Sequence, residues 1–162
     1  MEEAIKLSGV FNVKCFDKEG NLKWEENAKN AATDLGLDNI LNIMFHAIAQ
    51  VTPWYIGLIK GTGTLAAGDT LASHAGWTEV VPTTDYTGNR KEWTEGASSS
   101  KSMTNAATVD FAMLTSITVK GAFLCAVETG TAGVLFCTAL FTGGDQAVTN
   151  GDTLKITYTI SA

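Results

Sequence analysis

The clearest structural signal in the chain lies at residues 117–141, which have the sequence ITVKGAFLCAVETGTAGVLFCTALF. Two apolar runs, 117–127 and 134–141, flank the turn Gly130-Thr-Ala-Gly133, and this pattern predicts a β-hairpin. Apolar side chains occupy both sets of alternating positions in each run, so both faces of the hairpin need a cover. We expect the opposing sheet of a sandwich on one face, and either a helix of this chain or another subunit on the other.

Strands with one apolar face are predicted near both ends of the chain. Residues 5–16 and 153–160 alternate apolar and polar side chains, which is the pattern of half-buried strands. The turn formers of residues 17–21 follow the first of these, so residues 22–26 are predicted to return as the second strand of a hairpin. Further strands are predicted at 54–60 and 107–111, with short strands near 77–81 and 90–94.

Residues 34–49 change to a helical period. Their apolar side chains recur at intervals of three and four and form one stripe: Leu37, Ile40, Leu41, Met44, Phe45 and Ile48. Thr33 or Asp34 is suited to cap the first turn, and Pro53 disfavours helical geometry in the residue before it. This amphipathic helix is one candidate for the second cover of the hairpin, and another subunit is the alternative.

The number and spacing of these elements indicate the fold class. About eight strands, one helix and regularly spaced turns predict an all-β fold, a β-sandwich or a jelly roll, formed as a single domain over residues 1–162. Residues 61–101 are rich in glycine, threonine and serine, and we expect a long loop region there apart from the two short strands. Loops of this length inside a compact domain usually bind something or pack on a neighbour.

The composition narrows the classes of function. The chain of 162 residues has a formal net charge of −6, and its one arginine is Arg90. Nucleic acids and anionic membrane surfaces are bound by clustered lysine and arginine, so neither is an expected partner. No run reaches the roughly 18 apolar residues of a membrane span, and the first residues lack the basic flank and apolar stretch of a secretion signal. We therefore expect the protein to fold in a cytoplasm.

The cysteines do not form a recognisable framework. Cys15, Cys125 and Cys137 are widely spaced and odd in number, which is typical neither of a disulfide scaffold nor of a metal knuckle. In a hairpin that is regular around residue 131, Cys125 and Cys137 stand opposite each other within disulfide reach. In a cytoplasm we expect them to stay reduced, as small apolar core residues.

Residues with catalytic potential do not cluster in the sequence. His46 is predicted to be a partly buried structural side chain, and His74 has no ligand at zinc spacing. Glu25 and Glu26 are neighbours in a strand and point to opposite faces, which favours a solvated edge over an acid–base pair. Residues 61–64, Gly-Thr-Gly-Thr, lack the lysine of a phosphate-binding loop and are interpreted as a flexible turn. No catalytic, cofactor or metal site is predicted and an enzyme is not expected; a small hydrolase or sugar-binding enzyme is the alternative.

Four residues of the long loop region are the candidate protein interface: Trp77, Tyr86, Arg90 and Trp93. Tryptophan, tyrosine and arginine are enriched where interfaces concentrate their binding energy, and the three aromatic side chains are expected to be exposed. Two alternatives remain for the aromatic residues, a platform for stacking sugars and simple packing beneath their own loops. The N-terminal hairpin is the alternative contact surface.

Several segments, taken in order, resemble a known family. They are 11–24 (FNVKCFDKEGNLKW), 30–47 ending in IMFHA, 54–58 (WYIGL), 121–124 (GAFL) and 150–160 (NGDTLKITYTI). This set resembles the small structural proteins of tailed bacteriophages, which are met in the virion gene cluster near the major capsid protein. The resemblance covers most of the chain, and residues 61–101 lie outside it.

The resemblance implies a capsid decoration, or cement, protein. Such proteins sit on the outside of the head, often as trimers at three-fold positions, and clamp neighbouring copies of the major capsid protein. The expected partners are therefore the major capsid protein and further copies of this chain, a homotrimer, and the expected location is the exterior of the virion after synthesis in the host bacterial cytoplasm. The alternative is a tail-fibre or tail-tip module that binds a host receptor.

Overall fold

Twelve strands and one helix make up the part of the chain that the structure describes, residues 6–162 of a computed structural model. The strands are β1 Ser8–Phe16, β2 Leu22–Ala32, β3 Trp54–Lys60, β4 Thr78–Glu79, β5 Lys91–Trp93, β6 Ser102–Thr104, β7 Val109–Ala112, β8 Ile117–Val119, β9 Gly121–Cys125, β10 Leu135–Leu140, β11 Gln146–Val148 and β12 Thr153–Ser161; the helix, α1, is Asp34–Phe45. Among these residues, no helix has the length and apolar character that crossing a membrane requires.

The predicted N-terminal hairpin is confirmed. β1 pairs with β2 and with β12, and alternate residues of β1 are buried, with Phe11 stacked on Tyr158 at a ring-centroid distance of 4.0 Å. The turn is stabilised by the Asp17 carboxylate, which accepts hydrogen bonds from the backbone N–H groups of Glu19 and Asn21. Ile5, which the sequence places on the same face of the first strand, lies outside the described residues.

A single strand, β2, connects the two layers of the molecule. Residues 22–29 pair with β1 and residues 30–32 pair with β10, so β2 passes from one sheet into the other. The result is a ten-stranded sheet in the order β4-β3-β9-β10-β2-β1-β12-β6, with β5 and β7 paired to β3 and β12. The main core lies between its two halves, and the predicted all-β, sandwich-like fold with one helix is confirmed.

Short strands account for the difference between the predicted count of about eight and the twelve observed in residues 6–162. The predicted strand at 117–127 is divided at Lys120, because β8 pairs with β11 as a separate ribbon while β9 pairs with β3 and β10. β6 and β11, of three residues each, have no prediction. Strands this short carry too few alternations to stand out from a loop.

The central hairpin is not regular, and this separates two of the cysteines. Cys125 pairs with Leu135 and Cys137 pairs with Leu124, because a β-bulge shifts the register between Leu135 and Cys137. The two thiols therefore lie on opposite faces, and the prediction that they face each other is wrong. All three cysteines are free and buried, as expected of core residues, and burial raises the pKa of Cys15 to about 12 and that of Cys137 to about 11.

The second face of the hairpin is covered by residues 61–101, here called the cover segment. Leu71 and Trp77 from this segment pack on Phe123, Cys125 and Leu135, which point away from the main core. The two predicted covers, the helix and another subunit, are therefore wrong. The helix instead lies at one end of the sandwich, where its first turn contacts β10.

Candidate protein-docking surface

Trp77 lies beneath its own loop and is 3 % exposed. Its indole N–H donates to the Asp69 carboxylate at 2.9 Å. Its ring stacks on His74 at a centroid distance of 3.8 Å and lies tilted against Phe123 at 5.3 Å. Phe123 itself lies across Gly57 of β3, where a Cβ atom would overlap its ring. Trp77 thus holds the cover segment to the outer face of the sheet.

Arg90, the second predicted interface residue, also approaches Phe123, with its guanidinium carbon 5.6 Å from the ring centroid. It is 5 % exposed, binds both carboxylate oxygens of Glu79, and donates to the backbone oxygens of Val127 and Gly130. Burial by itself would lower the pKa of Arg90, but the hydrogen bonds that its guanidinium donates to Glu79 outweigh burial and raise the pKa. Arg90 is therefore an internal clamp between β4 and the β9–β10 loop.

Tyr86 and Trp93 lie in the main core, apart from the first pair. The Tyr86 ring packs edge-on against Phe111 at 4.9 Å, and burial raises the pKa of its hydroxyl, which has no hydrogen-bond partner among residues 6–162. The Trp93 ring contacts Tyr158 at 5.4 Å, and its indole N–H donates to the Asn105 side chain at 3.2 Å. Both residues are buried members of the main core cluster.

The prediction that the aromatic residues of the cover segment are exposed is wrong. Trp77, Tyr86 and Trp93 are all buried, which excludes a sugar-stacking platform in this conformation, and Arg90 is buried with them. The alternative in which they pack beneath their own loops is what the structure shows. The physical reason is that two apolar spaces take up these rings: Trp77 packs on the outer face of the central hairpin, while Tyr86 and Trp93 fill part of the main core.

The exposed apolar surface is found on α1, whose first turn fixes how the helix is rotated. Thr33 caps the helix, as predicted, by accepting a hydrogen bond from Gly36 N–H at 3.0 Å, while its own hydroxyl donates to the Leu135 carbonyl. Gly36 packs directly on the carbonyl of Phe136, leaving no room for a Cβ atom there. This contact turns the side of the helix that carries Gly36, Ile40 and Ile43 toward the sandwich.

Five apolar side chains of the predicted stripe are exposed, and we call them the α1 ridge: Leu37, Leu41, Met44, Phe45 and Ile48. Leu35, outside the stripe, is exposed as well. Phe45 is 81 % exposed and Met44 is 67 % exposed. Of the stripe predicted from sequence, Ile40 alone packs against the main core within the described residues. Large exposed apolar patches are common at interaction sites, so the ridge is the candidate docking surface.

The helix is shorter than the predicted 34–49 because the chain leaves helical geometry after Phe45. Ala47 adopts a left-handed conformation with φ of 55°, and the N–H groups of His46 and Ile48 both donate to the carbonyl of Asn42. Ile48 follows this closing turn, beyond the end of α1, and is exposed. His46 is exposed at the helix end, so the prediction that it is partly buried is wrong.

An apolar pocket of about 370 Å³ opens between α1 and the end of the sandwich. Its walls come from the inner side of the helix, from the segment that follows it and from both sheets: Asn39, Ile40, Ile43, Met44, Gln50, Trp54, Trp93, Leu124, Phe136 and Ile160. Met44 belongs to both the ridge and the pocket, so the two features are continuous. The volume is sufficient for one large aliphatic or aromatic side chain of a partner.

Two carboxylates are the only charged groups near the ridge in sequence. Residues 30–59 contain Asp34 and Asp38 and no other aspartate, glutamate, lysine or arginine. Both are exposed on the first turns of α1, and neither forms an ion pair with any residue from 6 to 162. The docking surface is therefore apolar along most of the helix and acidic at the N-terminal end.

The N-terminal hairpin, the alternative contact surface, offers less apolar area. Leu22 is 53 % exposed, while Lys18 and Glu19 at the tip lie close enough to form a surface ion pair. Glu25 and Glu26 point to opposite faces, as predicted: Glu25 accepts from Asn12, and Glu26 accepts from Gly143 N–H and Gln146. These carboxylates hold neighbouring segments together.

The remaining candidate side chains serve the structure. His74 stacks on Trp77 and shares a hydrogen bond with its carbonyl, and residues 61–64 form the turn after β3, as predicted, with Thr64 N–H donating to Gly76. Within residues 6–162 no three histidine, cysteine, aspartate or glutamate side chains are grouped to hold a metal ion. The α1 ridge and its pocket together have the geometry to bind a protein surface. No protein-family model matches the chain, and a comparison with curated proteins finds no match.

Proposed function

We propose that this chain is a capsid decoration protein of a tailed bacteriophage, which binds the outer surface of the head and stabilises the lattice of the major capsid protein. The resemblance of its strand and turn segments to small phage structural proteins suggests the class of protein. The observation that carries the binding part of the proposal is the exposed α1 ridge beside an apolar pocket. A side chain as large and as exposed as Phe45 has a physical reason to be there if a partner covers it.

The way α1 is attached suits this role. Its first turn is fixed to β10 by the Thr33 cap and by the contact of Gly36 with Phe136, so the ridge is held in place before any partner arrives. A preformed surface loses less conformational entropy on binding than a flexible one. The two-layered sandwich behind it then acts as a rigid body between neighbouring capsid subunits.

The proposal includes a homotrimer at three-fold positions of the head. Three α1 ridges on one trimer face three equivalent sites, and once one is bound the others act at a high effective concentration. A contact that is modest by itself thereby becomes long-lived. Burial of apolar surface at each contact supplies the free energy that opposes the outward pressure of the packaged DNA.

Copy number in purified virions tests the proposal. A decoration protein is expected in hundreds of copies, measured against the major capsid protein by gel densitometry, because an icosahedral head repeats its sites many times, whereas a tail component is expected in about a dozen copies or fewer. The lower number would assign the chain to the tail, and absence from virions would reject both assignments.

Head stability provides an independent test. Heads assembled without this protein are expected to release DNA at a lower temperature than complete heads, and added purified protein should restore the difference. Equal release temperatures with saturating protein bound would reject the stabilising role. Sedimentation of the free protein over a range of concentrations tests the trimer separately.

A further inference from the structure

The electrostatic character of the docking surface limits what can cover it. The α1 ridge itself carries no charge, and the carboxylates of Asp34 and Asp38 stand at its N-terminal end. Covering these two groups with an apolar or acidic surface would cost free energy, because a carboxylate that loses water needs a cation or a hydrogen-bond donor in exchange. The occupant is therefore expected to bring positive charge to that end.

A second copy of this chain is poorly suited to supply that positive charge. The chain has 11 basic residues against 17 acidic ones. Seven of the basic side chains are already in ion pairs within residues 6–162: Lys14, Lys18, Lys23, Lys60, Arg90, Lys120 and Lys155. Two copies that met through this surface would bring together two molecules that each have a net charge of −6, with four lysines in each outside these ion pairs.

We infer that α1 docks on a partner protein whose contact surface is apolar at its centre and carries lysine or arginine opposite Asp34 and Asp38. The inference rests on the proposed function and specifies the chemistry of the capsid site. An apolar side chain of the partner enters the pocket beside Met44, and the ridge packs around it. The central apolar contact supplies most of the affinity, while the charged edge sets the orientation and the rate of association.

Salt dependence of binding tests the charged edge. Heads assembled without this protein are titrated with the fluorescently labelled full-length chain at low and at physiological salt. The double variant Asp34→Asn/Asp38→Asn is expected to bind roughly three- to tenfold more weakly at low salt and to lose most of the salt dependence, because exposed charge pairs are screened by ions. Circular dichroism verifies that α1 remains formed.

A matched double variant controls for net charge. Glu19→Gln/Asp110→Asn removes the same two charges from exposed positions on the N-terminal hairpin and on β7. It is expected to bind like the unaltered chain. Two results would overturn the inference that the partner carries lysine or arginine opposite Asp34 and Asp38. One is equal salt dependence of binding in the unaltered chain and in the Asp34/Asp38 variant. The other is an equal loss of affinity in both double variants.

The apolar centre is tested with Phe45→Ser and, as its control, Leu22→Ser, which changes an exposed apolar residue at the far end of β2. Phe45→Ser is expected to weaken binding about tenfold or more, and Leu22→Ser to leave it unchanged. Unaltered binding by Phe45→Ser would overturn the inference while leaving capsid decoration in place. Failure of the unaltered chain to bind heads would instead overturn the proposed function and this inference with it. Dissociation of a soluble oligomer by Phe45→Ser would make a second copy the occupant and overturn the inference.

Discussion

Large apolar side chains are buried in the cover segment and exposed on α1. In the cover segment, Trp77 and Trp93 are 3 % and 2 % exposed, and each indole N–H donates to a side chain. On α1, Phe45 is 81 % exposed. A segment with two short strands thus completes the core, whereas the one helix of the described chain carries an open apolar surface.

This contrast shows that burial follows from tertiary placement rather than from regular secondary structure. The cover segment passes over the apolar outer face of the sheet, where Trp77 packs, and it also places Trp93 in the main core between the sheets. The helix contacts the sandwich through Gly36, which packs on the Phe136 carbonyl, and of its predicted apolar stripe only Ile40 packs against the main core within the described residues. Substitutions in the cover segment are therefore expected to change the free energy of unfolding, whereas substitutions on the α1 ridge are expected to change binding to the proposed partner.

The largest effect on stability is expected from the buried tryptophans. Trp93→Ala and Trp77→Ala should each lower the free energy of unfolding by about 3–5 kcal/mol, because each removes a ring from a packed cluster and leaves an indole partner unpaired. Urea unfolding followed by circular dichroism measures the change. A Trp77→Ala or Trp93→Ala variant that kept its full stability but lost capsid binding would contradict this expectation. It would mean that these residues bind the capsid and do not serve mainly as core residues.

The next effect is expected at Arg90. Arg90→Met should cost about 3 kcal/mol, because it leaves the Glu79 carboxylate and two backbone carbonyls without their donor. The matched double variant Arg90→Met/Glu79→Met removes the stranded charge and should recover part of that loss. Full stability of the single variant would mean that the clamp does not hold the cover segment down.

The sequence predicts much of the framework of strands and turns. It does not predict that the large apolar side chains are buried in the cover segment and exposed on α1. Alternation fixes which residues of β1 and β12 are buried, and turn formers predict the hairpin at Asp17, because both signals are local. The apolar stripe of α1 is also visible, yet periodicity identifies an apolar side without saying what covers it. Which side faces inward depends on the contact of Gly36 with Phe136, two residues 100 positions apart.

The same reasoning explains why the sequence wrongly predicts exposed aromatic residues in the cover segment. Trp77, Tyr86, Arg90 and Trp93 lie in a polar, glycine-rich stretch, which favours exposure when neighbours in sequence are the only guide. The apolar outer face of β9 and β10 was the available signal for a cover, since both alternating sets are apolar. Only the tertiary structure shows that the cover comes from residues 61–101.

Acid should weaken the cover segment through Asp85. Burial by itself would raise the pKa of this carboxyl, but hydrogen bonds from Lys60, Val81 N–H and Thr115 outweigh it and hold the pKa below its ordinary value of 3.8. A lowered pKa adds stability above that ordinary value, and the contribution is lost as the pH falls through the lower, folded-state pKa.

Asp85→Asn tests this pH dependence. The variant should be less stable by about 2 kcal/mol at pH 7, since it breaks the ion pair with Lys60, and it should lose less of its remaining stability as the pH falls below about 4. Urea midpoints across that range, in the unaltered chain and in the variant, give the comparison. Parallel acid profiles for the two proteins would show that Asp85 does not anchor the segment.

The smallest effect on stability is expected from a substitution on the α1 ridge. It gives the most direct test of the difference between the exposed ridge and the buried cover segment. Phe45→Ser should change the free energy of unfolding by no more than about 0.5 kcal/mol, because a side chain that is 81 % exposed has little packing to lose. Ile40→Ser is the matched control on the same helix: Ile40 packs against the main core, so its loss should cost about 2 kcal/mol or more. Similar losses at both positions would mean that the ridge packs on its own chain and has no surface free for a partner. A neutral Phe45→Ser with a destabilised Ile40→Ser would leave binding as the property that Phe45 serves.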